Sequence, residues 1–208
     1  MSTSSHRTKA AQREHMLRTL LQTGRAMFAE HGYAQVSTEA LVQQAGVTRG
    51  ALYHYFTSKE ALFHAVLEDV QRSVAAQIVD HTSEMHDPWE QLRVGCQVFL
   101  KASLDRDVQQ IMLIDGPAVV GWQEWRRMDA AHAMQLLRDV ISQLMADGVL
   151  KPQPIDALVH MLSGAMNEAA LWIAQAPDAE RALAEALAVF DTLLAALRCK
   201  GPASQMSA

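Results

Sequence analysis

Hydrophobic residues recur along most of the chain at intervals of three and four positions, which is typical of helices that bury one face. No stretch shows sustained alternation of apolar and polar residues, and glycine and proline fall mostly between the periodic segments. We therefore predict an all-α fold of about nine helices. Their predicted bounds are Gln12–His31, Thr38–Ala45, Thr48–Tyr55, Ser58–His81, Asp87–Leu104, Asp107–Ile114, Trp122–Asp147, Ile155–Ala174 and Asp178–Leu197.

Capping signals mark the boundaries of the short helices near the N-terminus. Ser37 and Thr48 stand where N-cap residues of the second and third predicted helices belong. Gly46 lies between these helices and can end the first of them with a positive φ. Two short capped helices joined by a tight turn are a helix-turn-helix candidate.

The third predicted helix has a polar outer side that suits DNA. Arg49, His54 and Tyr55 leave few apolar side chains to bury on that side, whereas Leu52 can anchor the helix inward. The N-terminus of a helix also offers free N–H groups and a positive dipole end to phosphate.

The stretch Met27–Glu68 resembles the DNA-binding domain of the TetR/AcrR family of transcriptional regulators. The shared motifs are FAEHGY, AGV and YHYFxSKEAL, each at the family's spacing. The resemblance implies an N-terminal helix-turn-helix DNA-binding domain followed by an α-helical ligand-binding and dimerisation domain. We predict bounds of 1–60 and 61–200 for these domains, with a flexible basic arm at 1–11 and a flexible tail at 201–208.

The resemblance also implies that the third helix enters the major groove. Arg49 is our candidate base reader, because a guanidinium can bond guanine O6 and N7 together. Gly50 would allow close approach to the DNA, and Ala51 could touch a thymine methyl group. The full set of predicted DNA-binding residues is Thr38, Thr48, Arg49, Gly50, Ala51, Tyr53, His54, Tyr55 and Lys59.

Simpler roles remain open for part of this set: Tyr53 and Tyr55 could merely pack, and Lys59 could be a solvated charge. One reader buries too little DNA for useful discrimination, so we expect a homodimer on palindromic double-stranded operator DNA.

The last two predicted helices are apolar around more than one face, which favours a dimer interface. Two such hairpins can form an intermolecular four-helix bundle, as the resemblance implies. The alternative is that both helices only close the core of the monomer. The predicted interface residues are Leu158, Leu162, Ala165, Ala169, Leu187, Phe190 and Leu194.

Tryptophan and methionine cluster in the second predicted domain, and such side chains can line an adaptable apolar cavity. The resemblance implies an effector site between the fifth and eighth predicted helices. Ordinary core packing is the alternative. The predicted effector-binding residues are Met112, Trp122, Trp125, Met128, His132, Met161, Asn167, Glu168 and Trp172.

Charge and composition narrow the function further. The chain has 208 residues, of which 50% are hydrophobic and 20% charged, so it can build a packed core. Residues 1–60 hold seven Lys or Arg and four Asp or Glu side chains, although the whole chain has a net charge of -5. The basic excess at this end fits a polyanionic partner.

Other classes of protein find no support in the sequence. No apolar run approaches the roughly 18 residues of a membrane span, and Met1–Ala11 lacks the apolar segment of a signal peptide. The cysteines and histidines have no metal-ligand or redox spacing, and no enzyme motif is present. We therefore expect a cytoplasmic protein that is not an enzyme and has no membrane partner, metal or cofactor.

These observations predict a homodimeric DNA-binding regulator, a repressor released from its operator by a small, largely apolar effector. Two alternatives remain open at this point. One is a constitutive helix-turn-helix protein without a ligand, and the other is a helical enzyme that uses His132 and Glu168 as acid and base.

Overall fold

The computed structural model describes residues 3–199. These residues form ten α-helices, in agreement with the helical periodicity of the sequence. A 3₁₀ turn at Tyr33–Gln35 and a π-helical segment at Val108–Asp115 complete the helical elements, and an isolated bridge joins Leu150 to Arg198. The all-α prediction is thus confirmed. The helices are α1 Thr3–His31, α2 Thr38–Ala45, α3 Arg49–Tyr55, α4 Lys59–Thr82, α5 Pro88–Ala102, α6 Gly116–Val120, α7 Trp122–Ala130, α8 Ala133–Ala146, α9 Ile155–Gln175 and α10 Ala179–Leu197.

The chain divides into two compact units. The first unit comprises the described residues up to Gln71 together with Asp105–Met128, and the second comprises Arg72–Leu104 together with the described residues from Asp129 onward. Residues 105–128, placed in the second domain from sequence, therefore pack with the N-terminal helices. The predicted division by function at residue 60 stays a prediction.

An aromatic cluster forms the centre of the first unit. The rings of Phe28 and Phe63 are fully buried and meet edge to face at 5.2 Å, and the Tyr33 ring lies 5.0 Å from that of Phe63. Arg25 Nε donates to Asp107 Oδ2 at 2.6 Å, and the Tyr33 N–H donates to Asp115 Oδ2 at 2.7 Å. These bonds attach the π-helical segment to α1 and to the 3₁₀ turn that follows α1.

The second unit buries the apolar faces of α5, α8, α9 and α10 against one another. On α9 the buried face includes Val159, Met166 and Ile173. Arg93 of α5 bonds both carboxylate oxygens of Asp191 on α10, at 3.2 and 3.1 Å. None of the helices in residues 3–199 has the length and hydropathy that a membrane span requires.

Several predicted helix bounds differ from the structure. α1 begins at Thr3 rather than near Gln12, because the polar residues before Gln12 include neither glycine nor proline and can continue a helix. Residues 3–11 of the predicted flexible arm are therefore helical, while residues 1–2 and the predicted tail at 201–208 lie outside the described residues.

The predicted end of the sixth helix at Ile114 is also wrong. Helical structure continues from the π-helical segment into α6, whose first turn contains Pro117.

The single helix predicted over Trp122–Asp147 is two helices, α7 and α8, interrupted at residues 131–132. Trp125 and Met128 are buried in the first unit, whereas Leu137 and Ile141 are buried in the second. The two halves of the segment thus bury their apolar faces in different units. No glycine or proline marks the break in the sequence.

Candidate nucleic-acid interface and ligand cavity

Two side-chain caps and one glycine set the bounds of α2 and α3. Ser37 Oγ accepts a hydrogen bond from the Ala40 N–H at 3.1 Å, and Thr48 Oγ1 accepts one from the Ala51 N–H at 3.1 Å. Gly46 takes the left-handed conformation at φ 65°, which an L side chain rarely adopts. The predicted N-caps and the helix-turn-helix are confirmed.

Buried leucines fix the orientation of both helices. Leu41 of α2 and Leu52 of α3 are almost completely shielded from solvent within the first unit. Because Leu52 faces inward, the residues on the opposite side of α3 face outward. Gly50 and His54 lie on that side and are exposed, and Tyr53 and Arg49, which is in the first turn of α3, are exposed as well.

Arg49, the candidate base reader, forms an ion pair at the surface. Arg49 Nη1 bonds Glu39 Oε1 of α2 at 3.0 Å, and the Arg49 guanidinium lies 5.5 Å from the centre of the Tyr53 ring. Both partners of the ion pair are exposed, so solvent screens their attraction and a phosphate or base can compete for the guanidinium. Sequence analysis missed Glu39, which no motif singled out.

The structure brings all nine predicted DNA-binding residues together on α2, α3, their caps and the start of α4. Thr48 is exposed like the α3 residues named above, whereas Thr38, Ala51, Tyr55 and Lys59 are half-buried. Their contacts with DNA stay a prediction.

Lys59 has protein partners that the sequence did not suggest. Its Nζ donates to the carbonyl oxygens of Tyr33 and Val36, both at 2.9 Å, and lies 3.9 Å from the centre of the Tyr33 ring. Burial, together with the negative charge of Glu60, raises the pKa of the Tyr33 hydroxyl above its ordinary value. One N–H of the Lys59 ammonium remains for a phosphate.

A cavity of about 390 Å³ lies within the second unit. Its walls come from the last turns of α4 and from α5, α8 and α9. Buried apolar side chains form part of the lining, and half-buried or exposed residues form the rest. The buried ones are Ile78, Leu92, Cys96, Phe99, Leu137 and Met166.

None of the nine predicted effector-binding residues lines this cavity. Met112, Trp125 and Met128 are packed in the first unit, where the Trp125 Nε1–H donates to the Met112 carbonyl at 2.7 Å. Trp122 is exposed and stacks on Trp125 with ring centres 5.2 Å apart.

The remaining predicted effector residues lie in the second unit but away from the cavity. Met161, Glu168 and Trp172 point to solvent from α9, whose contribution to the lining is Met166. His132 is half-buried at the break before α8, and Asn167 is buried with no hydrogen bond to its side chain among the described residues. The predicted effector-binding residues therefore do not form one site with this cavity, and a role for the cavity in ligand binding stays a prediction.

Cys96 is a cavity residue with an unreactive thiol. Burial, reinforced by the negative charge of Asp191, raises the pKa of this thiol to about 12. The thiol is therefore protonated at neutral pH and serves as an apolar part of the wall. Among residues 3–199 no group of three His, Cys, Asp or Glu side chains is placed to hold a metal ion.

The two C-terminal helices carry an apolar face that no other part of residues 3–199 covers. Met161 and Trp172 of α9 are 74% and 48% exposed, and Val189 and Leu193 of α10 are 62% and 50% exposed. The spacings within each pair, eleven and four residues, return to one side of a helix. This outer face is a candidate interface with a second copy.

Most of the predicted interface residues lie on the opposite side of these helices. Leu158, Leu162, Phe190 and Leu194 are buried in the core of the unit itself. Ala165 is exposed, while Ala169 and Leu187 are half-buried. The most hydrophobic stripe of each helix packs inward, so choosing interface residues by hydrophobicity selected the core.

Comparison with known proteins agrees with this arrangement. Residues 89–197 match the model of the tetracyclin repressor-like C-terminal domain, and residues 20–66 match that of the bacterial regulatory proteins of the tetR family. The crystal structure of a TetR-family transcriptional regulator from Pectobacterium atrosepticum is 34% identical, with a TM-score of 0.79 over 92% of this chain and 98% of that one.

Curated relatives point the same way. The transposon Tn10 TetC protein of Escherichia coli is 26% identical over 146 residues, which cover 70% of this chain and 74% of that protein. A probable acrEF/envCD operon repressor of Escherichia coli K12 is 33% identical over 99 residues, 45% of this chain and 44% of that protein.

Proposed function

Because the chain belongs to the TetR family of bacterial transcriptional regulators, we propose that it is a homodimeric repressor that leaves its operator when a small, largely apolar molecule fills the cavity of the second unit. Regulators of this family are DNA-binding proteins rather than enzymes, and they typically act as dimers that respond to small molecules.

The observation that carries the DNA-binding part is the exposed side of α3. Thr48 caps the helix and Leu52 fixes it inward, which leaves Arg49 and Gly50 exposed at the N-terminal end, where recognition helices contact base edges. In a symmetric dimer, two such helices would occupy major grooves roughly 34–36 Å apart, or a multiple of that distance.

α4 is the element that we propose couples ligand to DNA. Lys59, at its first turn, bonds the chain before α2, and Ile78, Val79 and Thr82, near its last turn, line the cavity. A ligand that prefers one position of α4 would shift the population of dimers toward that position. The shift cannot exceed the ligand's differential affinity for the two states.

Substitution of Arg49 tests the proposed reader. The full-length chain selects a binding duplex from a randomised pool, and fluorescence anisotropy then gives the dissociation constant of each variant. Loss of a bidentate base contact costs about 1–3 kcal/mol, so Arg49→Ala should weaken binding by about 5- to 150-fold and relax specificity at one position per half-site.

The matched control is Arg181→Ala, which removes an equally exposed guanidinium from α10. Operator binding by this variant should equal that of the parent chain. Unchanged binding by Arg49→Ala would exclude Arg49 from the residues that read bases.

A further inference from the structure

The polar part of the cavity lining includes several oxygens that can accept a hydrogen bond from a ligand. The Thr82 hydroxyl donates to the Ile78 carbonyl at 2.8 Å, and Gln91 Nε2 donates to the Met85 carbonyl at 2.6 Å. Gln143 Nε2 donates to the Asp147 carboxylate at 2.9 and 3.0 Å. The Thr82 hydroxyl proton is thus used within the protein, and the Gln91 amide keeps one N–H. All three side chains still have an oxygen that can accept a hydrogen bond from a ligand.

Asp139 gives this lining a negative charge. It is the one charged side chain among the described residues that line the cavity, which include no lysine, arginine or histidine. Its carboxylate accepts a hydrogen bond from the neutral Gln135 amide at 2.8 Å. The neighbouring Arg138 bonds the carboxylate of Asp156 on α9 instead.

Most of the remaining lining is apolar and suits a hydrocarbon or aromatic body. Leu92, Phe99, Leu137 and Met166 are all buried there, and the thiol of Cys96 is uncharged. A volume of about 390 Å³ lies within the range of cavities that bind drug-sized molecules, roughly 300–1,000 Å³.

We propose that this cavity selects amphipathic cations, which place an apolar body against the buried wall and a hydrogen-bond-donating ammonium group at Asp139. A carboxylate or phosphate would meet acceptor oxygens and a like charge with no basic lining residue to neutralise it, so anionic amphiphiles are rejected. This inference rests on the proposed function, since it names the chemical class of the effector of that same site.

Three ligands that share an eight-carbon skeleton and differ in their polar group test the proposed selection for cations: octylammonium, 1-octanol and octanoate. Isothermal titration calorimetry on the full-length chain at neutral pH should rank their affinities in that order. Because Asp139 is exposed and partly screened, we expect octylammonium to bind about three- to tenfold more tightly than octanol.

Three variants test whether the preference for the cation depends on Asp139 and on this cavity. Asp139→Asn should abolish the preference for octylammonium over octanol, while Glu180→Gln, an equal charge change at an exposed position of the same unit outside the cavity, should keep it. Gly95→Leu should weaken the binding of octylammonium and octanol, because Gly95 lines the cavity and a larger side chain there fills part of it.

The outcomes separate the ligand class from the regulatory role. Failure of octylammonium to bind, binding of octanoate at least as tight, or an unchanged preference in Asp139→Asn overturns the inference. Operator affinity with and without octylammonium is measured in parallel. If the cation binds with the expected dependence on Asp139 but leaves operator affinity unchanged, the ligand class stands and the proposed effector role fails.

Discussion

Among single residues, Lys59 shows how geometry changes an assignment made from a motif. Its place in the motif implies a phosphate contact, yet its ammonium holds two carbonyls of the segment between α1 and α2 and lies against the Tyr33 ring. Hydrogen bonds to a charged group stabilise a fold by about 1.5–3 kcal/mol, more than a neutral bond does. We therefore expect Lys59 to stabilise the first unit, in addition to its predicted contact with phosphate.

The variant Lys59→Met tests this role because it keeps the length and apolar stem of the side chain and removes the ammonium. We expect the free energy of unfolding to fall by about 1–3 kcal/mol, since two carbonyls lose their charged donor. Urea denaturation followed by circular dichroism measures the change. Lys101→Met, at an exposed position of α5, is the control and should stay within about 0.5 kcal/mol of the parent.

Operator binding separates the two roles of Lys59. A variant of unchanged stability whose operator affinity drops, with a shallower dependence on salt, would identify a phosphate contact and no structural role.

At the scale of elements, the sequence predicted the helix bounds that depend on interactions between nearby residues. Ser37, Gly46 and Thr48 fix the bounds of α2 and α3 through bonds within three or four residues, so their pattern was sufficient. The break at 131–132 arises from packing in different units and leaves no local trace in the sequence.

The rotation of each helix about its axis could not be predicted either, because it too depends on tertiary packing and not on local interactions. On α9, the sequence shows apolar residues on several sides, and only tertiary packing decides that Met166 lines the cavity while Met161 and Trp172 point to solvent. The sequence thus predicted most of the helices that surround the cavity, but not α4 and not the residues that line it. On α3, one buried leucine among polar neighbours left a single choice of face, and the exposed side was predicted correctly.

The junction between the π-helical segment and α6 depends on the absence of a side chain at Gly116. A Cβ atom there would lie 2.9 Å from Trp125 Cδ1 and 3.0 Å from the Ile111 carbonyl oxygen. The Trp125 ring cannot easily move, because its Nε1–H bonds the Met112 carbonyl. The backbone of Gly116 is right-handed helical, so a substitution there is limited by space rather than by conformation.

We therefore expect Gly116→Ala to lower the free energy of unfolding by about 1–3 kcal/mol, the usual cost of overpacking a core. Gly164→Ala is the matched control, because a Cβ at this helical position of α9 meets no atom within 4 Å. That variant should be neutral or gain up to about 1 kcal/mol from helix propensity. Equal effects of the two substitutions in urea denaturation would show that the contact at Gly116 is not limiting.

For the whole molecule, the central question is how one chain with one reader helix becomes a regulator of useful specificity. Two linked readers add their contacts on one duplex, so dimerisation raises operator affinity without any new base contact. The outer face of α9 and α10 offers exposed Met161, Trp172, Val189 and Leu193, and solvent-exposed apolar patches of this kind commonly mark protein interfaces.

The variant Val189→Glu tests whether this face joins two copies. Val189 is 62% exposed, so glutamate there should not disturb the core of the monomer, but burying two symmetry-related carboxylates in an interface is strongly unfavourable. We expect sedimentation equilibrium to show a monomer at concentrations where the parent chain is dimeric, and operator affinity to fall at least about tenfold. Ile114→Glu places the same charge at an apolar position of the first unit that is 45% exposed, and it should remain dimeric. A dimer that persists in Val189→Glu would mean that the two copies meet through another surface, and the outer face of α9 and α10 would then need a different explanation.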